Sequence, residues 1–393
     1  MVSAWPLAMS VVNSERNRNW GITEQIISVV LSPSVVKNNL PEEIQIPGLE
    51  FESPLKASYT IDFGLQQEAD RIFDKYNPDY GIFVAIDPET GYVLAMTDST
   101  RDQLDHGNLS LVSTYPAASI SKIITAVAAL NENKLSESSI IPFNGKSTSL
   151  YKKHVFKHKN SQWTRKYTFN ESFAKSVNPV FGRIGAVDVG GKTMLDYSYR
   201  LGFNGRFASD FTFDNGAIEL DTSDEWQVAE MASGYTTRNT LSPIHGAILA
   251  ATAINGGNLV APILVKSLTG PYGIPIYVHD KPGKSAAMTE DTSLQLKRMM
   301  LSTVKIGSAR KSFRGFSNRQ LKEVKAGGKT GSLTGFKPKG KYDWFVGFGE
   351  NGDRKIAFAV LCINKEKWYV KSSRFAREIL EYYFRSTEKN DQA

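Results

Sequence analysis

The stretch Tyr115-Pro116-Ala117-Ala118-Ser119-Ile120-Ser121-Lys122, continued by the Ala-rich apolar run to Leu130, decides how this chain is read. A run that long exceeds what a buried strand needs and follows a proline-containing turn, which predicts a buried helix opened by Pro116 to Ser119. Residues three apart share a helix face, so Lys122 can reach the hydroxyl of Ser119. A serine hydroxyl is a weak nucleophile until a neighbouring base takes its proton. Lys122 can be that base if burial and a nearby cation such as Lys329 lower its pKa. Ser119, at the first turn, also presents its own N–H to a developing oxyanion, where the helix dipole favours negative charge.

The S-x-x-K pattern alone carries little weight, because it recurs at Ser34, Ser53, Ser149, Ser172, Ser302, Ser308 and Ser386. Only the Ser119 copy opens a buried apolar helix after a turn. Two further elements occur once each: Ser176-Val177-Asn178 and Lys329-Thr330-Gly331. Ser176 and Asn178 are expected on a loop across a cleft, with a hydroxyl able to pass a proton to a leaving amine and an amide able to hold a substrate amide. The bland alternative there is a turn or helix cap, since Asn178-Pro179 is also helix-start chemistry. Lys329 and Thr330 are expected on an edge strand to bind a substrate carboxylate, with Gly331 permitting close backbone approach. The competing reading is a surface turn, because Gly327-Gly328 precede them.

Outward from these motifs, Gly81 to Asp87 and Tyr92 to Thr97 read as a hairpin around Pro88-Glu89-Thr90-Gly91. Leu65, Ala69, Ile72 and Phe73 share a helical face that ends near Asn77-Pro78-Asp79. Residues from about 131 to 321 are mostly helical in pattern, with breaks at Gly190-Gly191 and Gly256-Gly257. Tyr342 to Phe348 and Lys355 to Ile363 are again strand-like, and Ser373 to Phe384 is an amphipathic helix. Strands from both chain ends around a helical middle predict an α/β (α+β) protein: an antiparallel sheet flanked by helices, with an inserted all-helical lobe. Pro33, Pro41 and Pro47 predict an extended lead-in or small accessory piece over residues 1–58, ahead of a catalytic unit over 59–393.

The 393 residues, 41% hydrophobic and 22% charged, exclude disorder over most of the chain. The single cysteine, Cys362, excludes a disulfide scaffold and reads as a buried thiol. Net charge is +7, which favours anionic surroundings without choosing among them. The basic, aromatic stretch Tyr151 to Lys166 reads as a solvated loop, with polyanion binding at most an accessory property. No apolar run reaches membrane-spanning length, and Met1 to Val12 makes a poor signal peptide, so the chain reads as soluble. His154 and His158 stand four apart with no nearby carboxylate, so neither metal nor cofactor is expected. Gly347, Gly349 and Gly352 form G-x-G-x-x-G, but a strand and not a helix follows, which predicts a hairpin turn instead of a dinucleotide site.

The ordered triple resembles the signature of serine β-lactamases and penicillin-binding proteins. The resemblance extends to the penicillin-binding transpeptidase domain through Thr60-Ile61-Asp62, Ala85-Ile86-Asp87-Pro88, Tyr115-Pro116, Asn178-Pro179-Val180-Phe181, Leu201-Gly202-Phe203, Leu241-Ser242-Pro243, Ala253 to Gly257 and Trp344 to Phe348, covering about residue 59 to the C-terminus. It implies a DD-peptidase fold acting on the D-Ala-D-Ala end of peptidoglycan stem peptides. Ser119 would form the acyl-enzyme, assisted by Lys122 and Ser176. Asn178, Lys329, Thr330 and Gly331 would bind substrate, and Ser332 would supply the second oxyanion N–H. Ser332 stands where the family often has threonine. Penicillins would acylate Ser119 as substrate mimics.

The resemblance further implies possible cell-wall synthesis partners, no nucleic-acid partner, and a place in the periplasm or on the outer face of the cytoplasmic membrane. Residues 1–58 leave no room for the large N-terminal pedestal of bigger members, and no glycosyltransferase-like half is expected. Carboxypeptidase, endopeptidase, β-lactamase and a non-catalytic muropeptide or antibiotic sensor are the alternatives. Asn178 argues against the oxacillin-hydrolysing β-lactamases. Glu219 and Glu225 are candidate deacylating residues by location only.

Overall fold

The computed structural model describes residues 21–48, 53–157, 160–279, 284–317 and 321–390. Near the start, helix α1 (Glu24–Val35) is followed by strand β1 (Leu55–Tyr59), helix α2 (Phe63–Tyr76) and the hairpin β2 (Tyr80–Ile86) and β3 (Val93–Thr100). A 3-10 turn over Ala118–Ser121 then leads into α3 (Lys122–Asn131). A second hairpin, β4 (Ile140–Phe143) and β5 (Arg165–Thr168), precedes α4 (Phe169–Ala174), α5 (Asn178–Arg183), α6 (Gly191–Arg200), α7 (Glu225–Ser233) and α8 (Pro243–Thr252). The chain continues through β6 (Val265–Thr269), β7 (Pro275–Val278) and α9 (Glu290–Lys305). It ends with β8 (Lys325–Phe336), β9 (Lys339–Asn351), β10 (Arg354–Asn364) and α10 (Ser372–Asn390).

The central sheet is antiparallel in the order β8-β9-β10-β2-β3, so strands from the two ends of the chain meet at β10 and β2. All seven residues of β2 are buried, because both faces of the sheet are covered. Side chains alternate between two cores: Ile82, Val84 and Ile86 join the one beneath the helical lobe, whereas Phe83 and Ala85 join the one beneath α2 and α10. In the second core Phe375 of α10 lies 4.5 Å from Phe73 of α2 and 5.6 Å from Phe83. Burying each such ring contributes about 1.5–3 kcal/mol. On the opposite face α8 carries mostly small or aliphatic side chains, His245 being the exception, and a Cβ on Gly246 would come within 3.0 Å of Ala359. Helix and sheet thus approach closely.

The expected α/β architecture is present, with three differences in detail. The lobe contains the β4–β5 hairpin, and after Gly257 the chain leaves the helices: β6 pairs with β1 and with β7 in a separate small sheet. Residues 24–35 are helical, not extended. Pro33 is tolerated because the carbonyl it leaves unbonded belongs to Val29 on the solvent face, while Ile27, Leu31 and Val35 bury the other face four apart. The glycines of G-x-G-x-x-G also divide: Gly352, at φ +58°, makes the β9–β10 turn, but Gly347 and Gly349 lie within β9, where a Cβ would strike Gly327 O at 2.5 Å and Leu380 at 2.5 Å. Close packing, not turn geometry, requires glycine there.

Candidate active site

The turn before α3 is held from two sides. Ala117 N–H donates to Asn239 O (2.8 Å), and the indole of the buried Trp344 donates to Pro116 O (2.9 Å). Ala118 adopts a left-handed conformation (φ +49°), and its carbonyl lies where a Cβ on Gly234 would be, 1.8 Å away. Gly234 itself sits at φ +67° as the C-cap of α7, so both its conformation and its contact exclude a side chain. This turn leaves Ser119 half-buried and puts Lys122 wholly inside.

Lys122 Nζ lies 2.8 Å from Ser119 Oγ and 2.8 Å from Asn178 Oδ1, and it also donates to the carbonyl of Ser233. No carboxylate of the described residues is within ion-pair distance of it. Burial, and secondarily the charge of Lys329, holds its pKa well below that of an ordinary lysine. As a neutral amine it keeps two N–H donors for Asn178 and Ser233 and turns its lone pair to the Ser119 hydroxyl. A buried amine that gains a general base's lone pair on losing its charge fits the first step of acyl transfer.

Ser176 stands at φ +56° in the turn that leads through Val177 into α5, and its hydroxyl accepts from Lys329 Nζ at 3.0 Å. Asn178 opens α5: its backbone N–H donates to Ser147 O (2.7 Å) and its Nδ2 to Thr148 O (3.0 Å). With Oδ1 engaged by Lys122, the amide retains one N–H and one lone pair. Lys329 is fully buried, also donates to Thr330 O (2.9 Å), and burial lowers its pKa to about 7.

Lys329, Thr330, Gly331 and Ser332 lie on β8, the edge of the sheet. A Cβ on Gly331 would meet Ile120 at 3.2 Å and Ala117 O at 3.3 Å, so glycine there lets the edge strand lie against the turn that carries Ser119. The half-buried Thr330 shares a 2.6 Å hydroxyl contact with Ser308. Ser332 is exposed and pairs across the sheet with Asp343, donating to its Oδ1 at 3.1 Å.

The fold therefore brings Ser119, Lys122, Ser176, Asn178, Lys329, Thr330 and Gly331 around one cleft, with Ser332 at its rim. Four residues were not foreseen from sequence: Ser233, which offers only a carbonyl; Gly234, whose sequence signal is an ordinary helix C-cap; Ser308; and Asp343. Ser308 appears in the sequence only as one of the redundant S-x-x-K copies. Glu219 and Glu225 are exposed and contact neither Ser119 nor Lys122. His245 is buried, accepts from Gly216 N–H, donates to Leu201 O and is pushed down to about 4 by burial, which makes it a neutral structural residue. In the basic stretch, Trp163 and Tyr151 are exposed, whereas Lys152 and Arg165 lie over the rings of Trp226 and Phe143; His158 and Lys159 fall outside the described residues.

Residues 81–381 match the family model of the penicillin binding protein transpeptidase domain. Among curated proteins, the chain is 27% identical over 326 residues to stage V sporulation protein D of Bacillus subtilis, covering 76% of this chain and 48% of that protein. It is 24% identical over 326 residues to the peptidoglycan D,D-transpeptidase PbpA of Mycobacterium tuberculosis, covering 74% and 63%. The chain thus spans about half to just under two thirds of these relatives. Among solved structures, the D,D-transpeptidase domain of a peptidoglycan glycosyltransferase from Eggerthella lenta superposes with a TM-score of 0.69 at 19% identity, covering 86% of this chain and 85% of that one. Penicillin-binding protein A from M. tuberculosis, in its penicillin G acyl-enzyme complex, superposes with a TM-score of 0.67 at 22% identity, covering 84% and 81%. The fold, the ordered motifs and the match over most of the chain agree, and the chain belongs to the penicillin-binding protein transpeptidase family.

Proposed function

We propose that this chain is a peptidoglycan DD-transpeptidase that works through an acyl-enzyme on Ser119 and is acylated there by β-lactams. The observation that carries the proposal is the convergence of Ser119, Asn178 and the Ser233 carbonyl on the fully buried Lys122 amine. Neutral Lys122 takes the Ser119 proton as Oγ forms a bond to the penultimate D-Ala carbonyl carbon. The resulting oxyanion is held by the N–H groups of Ser119 and Ser332. Ser176, linked to Lys329, passes a proton to the leaving nitrogen; the C–N bond breaks and terminal D-Ala departs. Lys329 and Thr330 hold its carboxylate. The amine of a neighbouring stem peptide then attacks the ester, gives up its proton through the same groups and restores the Ser119 hydroxyl.

Residues 59–393 would form the catalytic unit. Peptidoglycan places its work in the periplasm or on the outer face of the cytoplasmic membrane, in company with cell-wall synthesis proteins. Among the described residues no helix is long and apolar enough to cross a membrane. Intact-mass spectrometry after incubation with benzylpenicillin tests the reading. A stable mass gain of one drug molecule on the wild type, absent from Ser119→Ala, is the expected result. Rapid drug loss without an adduct would indicate a β-lactamase, and an intact drug without an adduct would refute the acyl-enzyme. Incubation with muropeptides then separates cross-linked dimer from simple release of D-Ala.

A further inference from the structure

A groove of about 1000 Å³ lies on the far side of α9 from the helical lobe, between that helix and the segment leading into β8. Its floor is apolar: Leu301 and Val304 of α9, then Phe313, Phe316, Val324 and Ala326. A Cβ on Gly327 would come within 3.0 Å of Leu301 N, so helix and strand are in close contact at one end and the groove opens beside that contact. Its walls are basic. Lys297 is bound to Glu350, the one carboxylate among the lining residues, at 2.7 Å, and Arg298 to Glu137 at 2.7 Å. Six more, Lys305, Arg310, Lys311, Arg314, Lys322 and Lys325, are exposed, and no described carboxylate pairs with them. Lys305 lines the groove from α9, and Arg310, Lys311, Arg314, Lys322 and Lys325 line it from residues 310–317 and 321–325. The net charge of the whole chain is only +7, so these six account for a large part of it in one place.

We propose that this groove docks an acidic segment of a partner polypeptide, with apolar side chains seated on the Phe313–Phe316 floor and carboxylates between the two basic walls. Cations that converge from opposite walls on a recessed apolar floor complement an extended acidic chain; a flat anionic membrane would reach the rims but not the floor. None of the groove residues belongs to the catalytic cleft, so docking and acylation are separately measurable.

The test uses the full chain and a short fluorescein-labelled peptide of alternating Glu and Leu, followed by fluorescence anisotropy. Saturable binding is expected. It should weaken by roughly tenfold in the triple variant K311E/R314E/K322E, with loss of desolvated charge contacts, and stay unchanged in K152E/K153E/K166E, which alters net charge equally on the other basic face. Equal weakening in both variants would reduce the effect to general attraction and overturn the proposal. So would failure of the peptide to bind, or binding only to phosphatidylglycerol vesicles. If the charge-reversed protein melts below the wild type, K311Q/R314Q/K322Q replaces it. Anisotropy does not depend on Ser119, so this outcome stands apart from the catalytic reading.

Discussion

Lys329 Nζ lies 3.0 Å from Ser176 Oγ, joining the edge strand of the sheet to the turn that leads into α5. The two residues are 153 positions apart, and each is held by its own unit: Lys329 by the ladder of β8 with β9, Ser176 by its left-handed turn. The contact orients the hydroxyl assigned to the leaving nitrogen and keeps a buried ammonium satisfied. Under the proposed roles of Ser176 and Lys329, the position of the lobe relative to the sheet is itself part of the catalytic geometry.

Replacing Lys122 with methionine should slow acylation by labelled penicillin by about 10²–10⁴-fold, the range that a positioned general base supplies. The fold should survive, because the substitution removes a buried amine and keeps an apolar stem of similar length. Stopped-flow acylation and thermal melting check both halves. Near-wild-type acylation would remove Lys122 from the base role.

Stability should rise with pH above neutrality. Lys329 titrates near 7 in the fold and near the ordinary lysine value of about 10.5 when unfolded, so between those values the unfolded chain holds a proton that the native chain lacks. Under that sign, unfolding free energy gained from this residue climbs by at most about 1.4 kcal/mol per pH unit from 7 towards 10, and is lost as pH falls back through 7. The difference in slope between denaturant melts of wild type and Lys329→Met across this range isolates the share of Lys329, because the buried Lys122 is common to both.

Gly234→Ala should disable the site from a distance. Its Cβ would lie 1.8 Å from Ala118 O, and φ +67° disfavours any L side chain. The turn bearing Ser119 must move, at a cost of about 1–3 kcal/mol in stability and with loss of most acylation. Melting and acylation measured on one preparation would show the two effects together; unaltered acylation would contradict the close contact.

Ser308→Ala should act mildly and specifically. Ser308 is exposed, so melting should change little, but Thr330 loses its 2.6 Å partner beside the carboxylate position. A net hydrogen bond of about 0.5–1.5 kcal/mol predicts roughly two- to tenfold slower acylation, and Ser308→Thr should restore it.

Much of this was legible along the chain. The apolar run Gly81 to Asp87 beside its Pro88 to Gly91 turn, the helical face of Leu65, Ala69, Ile72 and Phe73, and the Ser119–Lys122 spacing are local patterns, and local geometry enforces them. The helix over residues 24–35 was not legible, because prolines suggested extension and only burial of Ile27, Leu31 and Val35 against the lobe side of the core outweighs that preference. Gly347 and Gly349 were misread for a related reason: a glycine required by a close-packed neighbour leaves the same letters as one required by a turn.

The sequence by itself determined which groups the protein carries and in what order: a serine and a lysine three apart where a helix opens, a serine and an asparagine two apart where a later helix opens, and a lysine, threonine and glycine in succession on a strand. These follow from chemistry and short-range spacing. Only the tertiary structure decided that the Ser233 carbonyl, Asn178 and Ser119 would meet at Lys122, that no carboxylate of the described residues would pair with either buried lysine, and that burial would lower both pKa values. Desolvation and cross-chain hydrogen bonding depend on what packs around a group, and for Lys122 those neighbours come from residues 56 and 111 positions away.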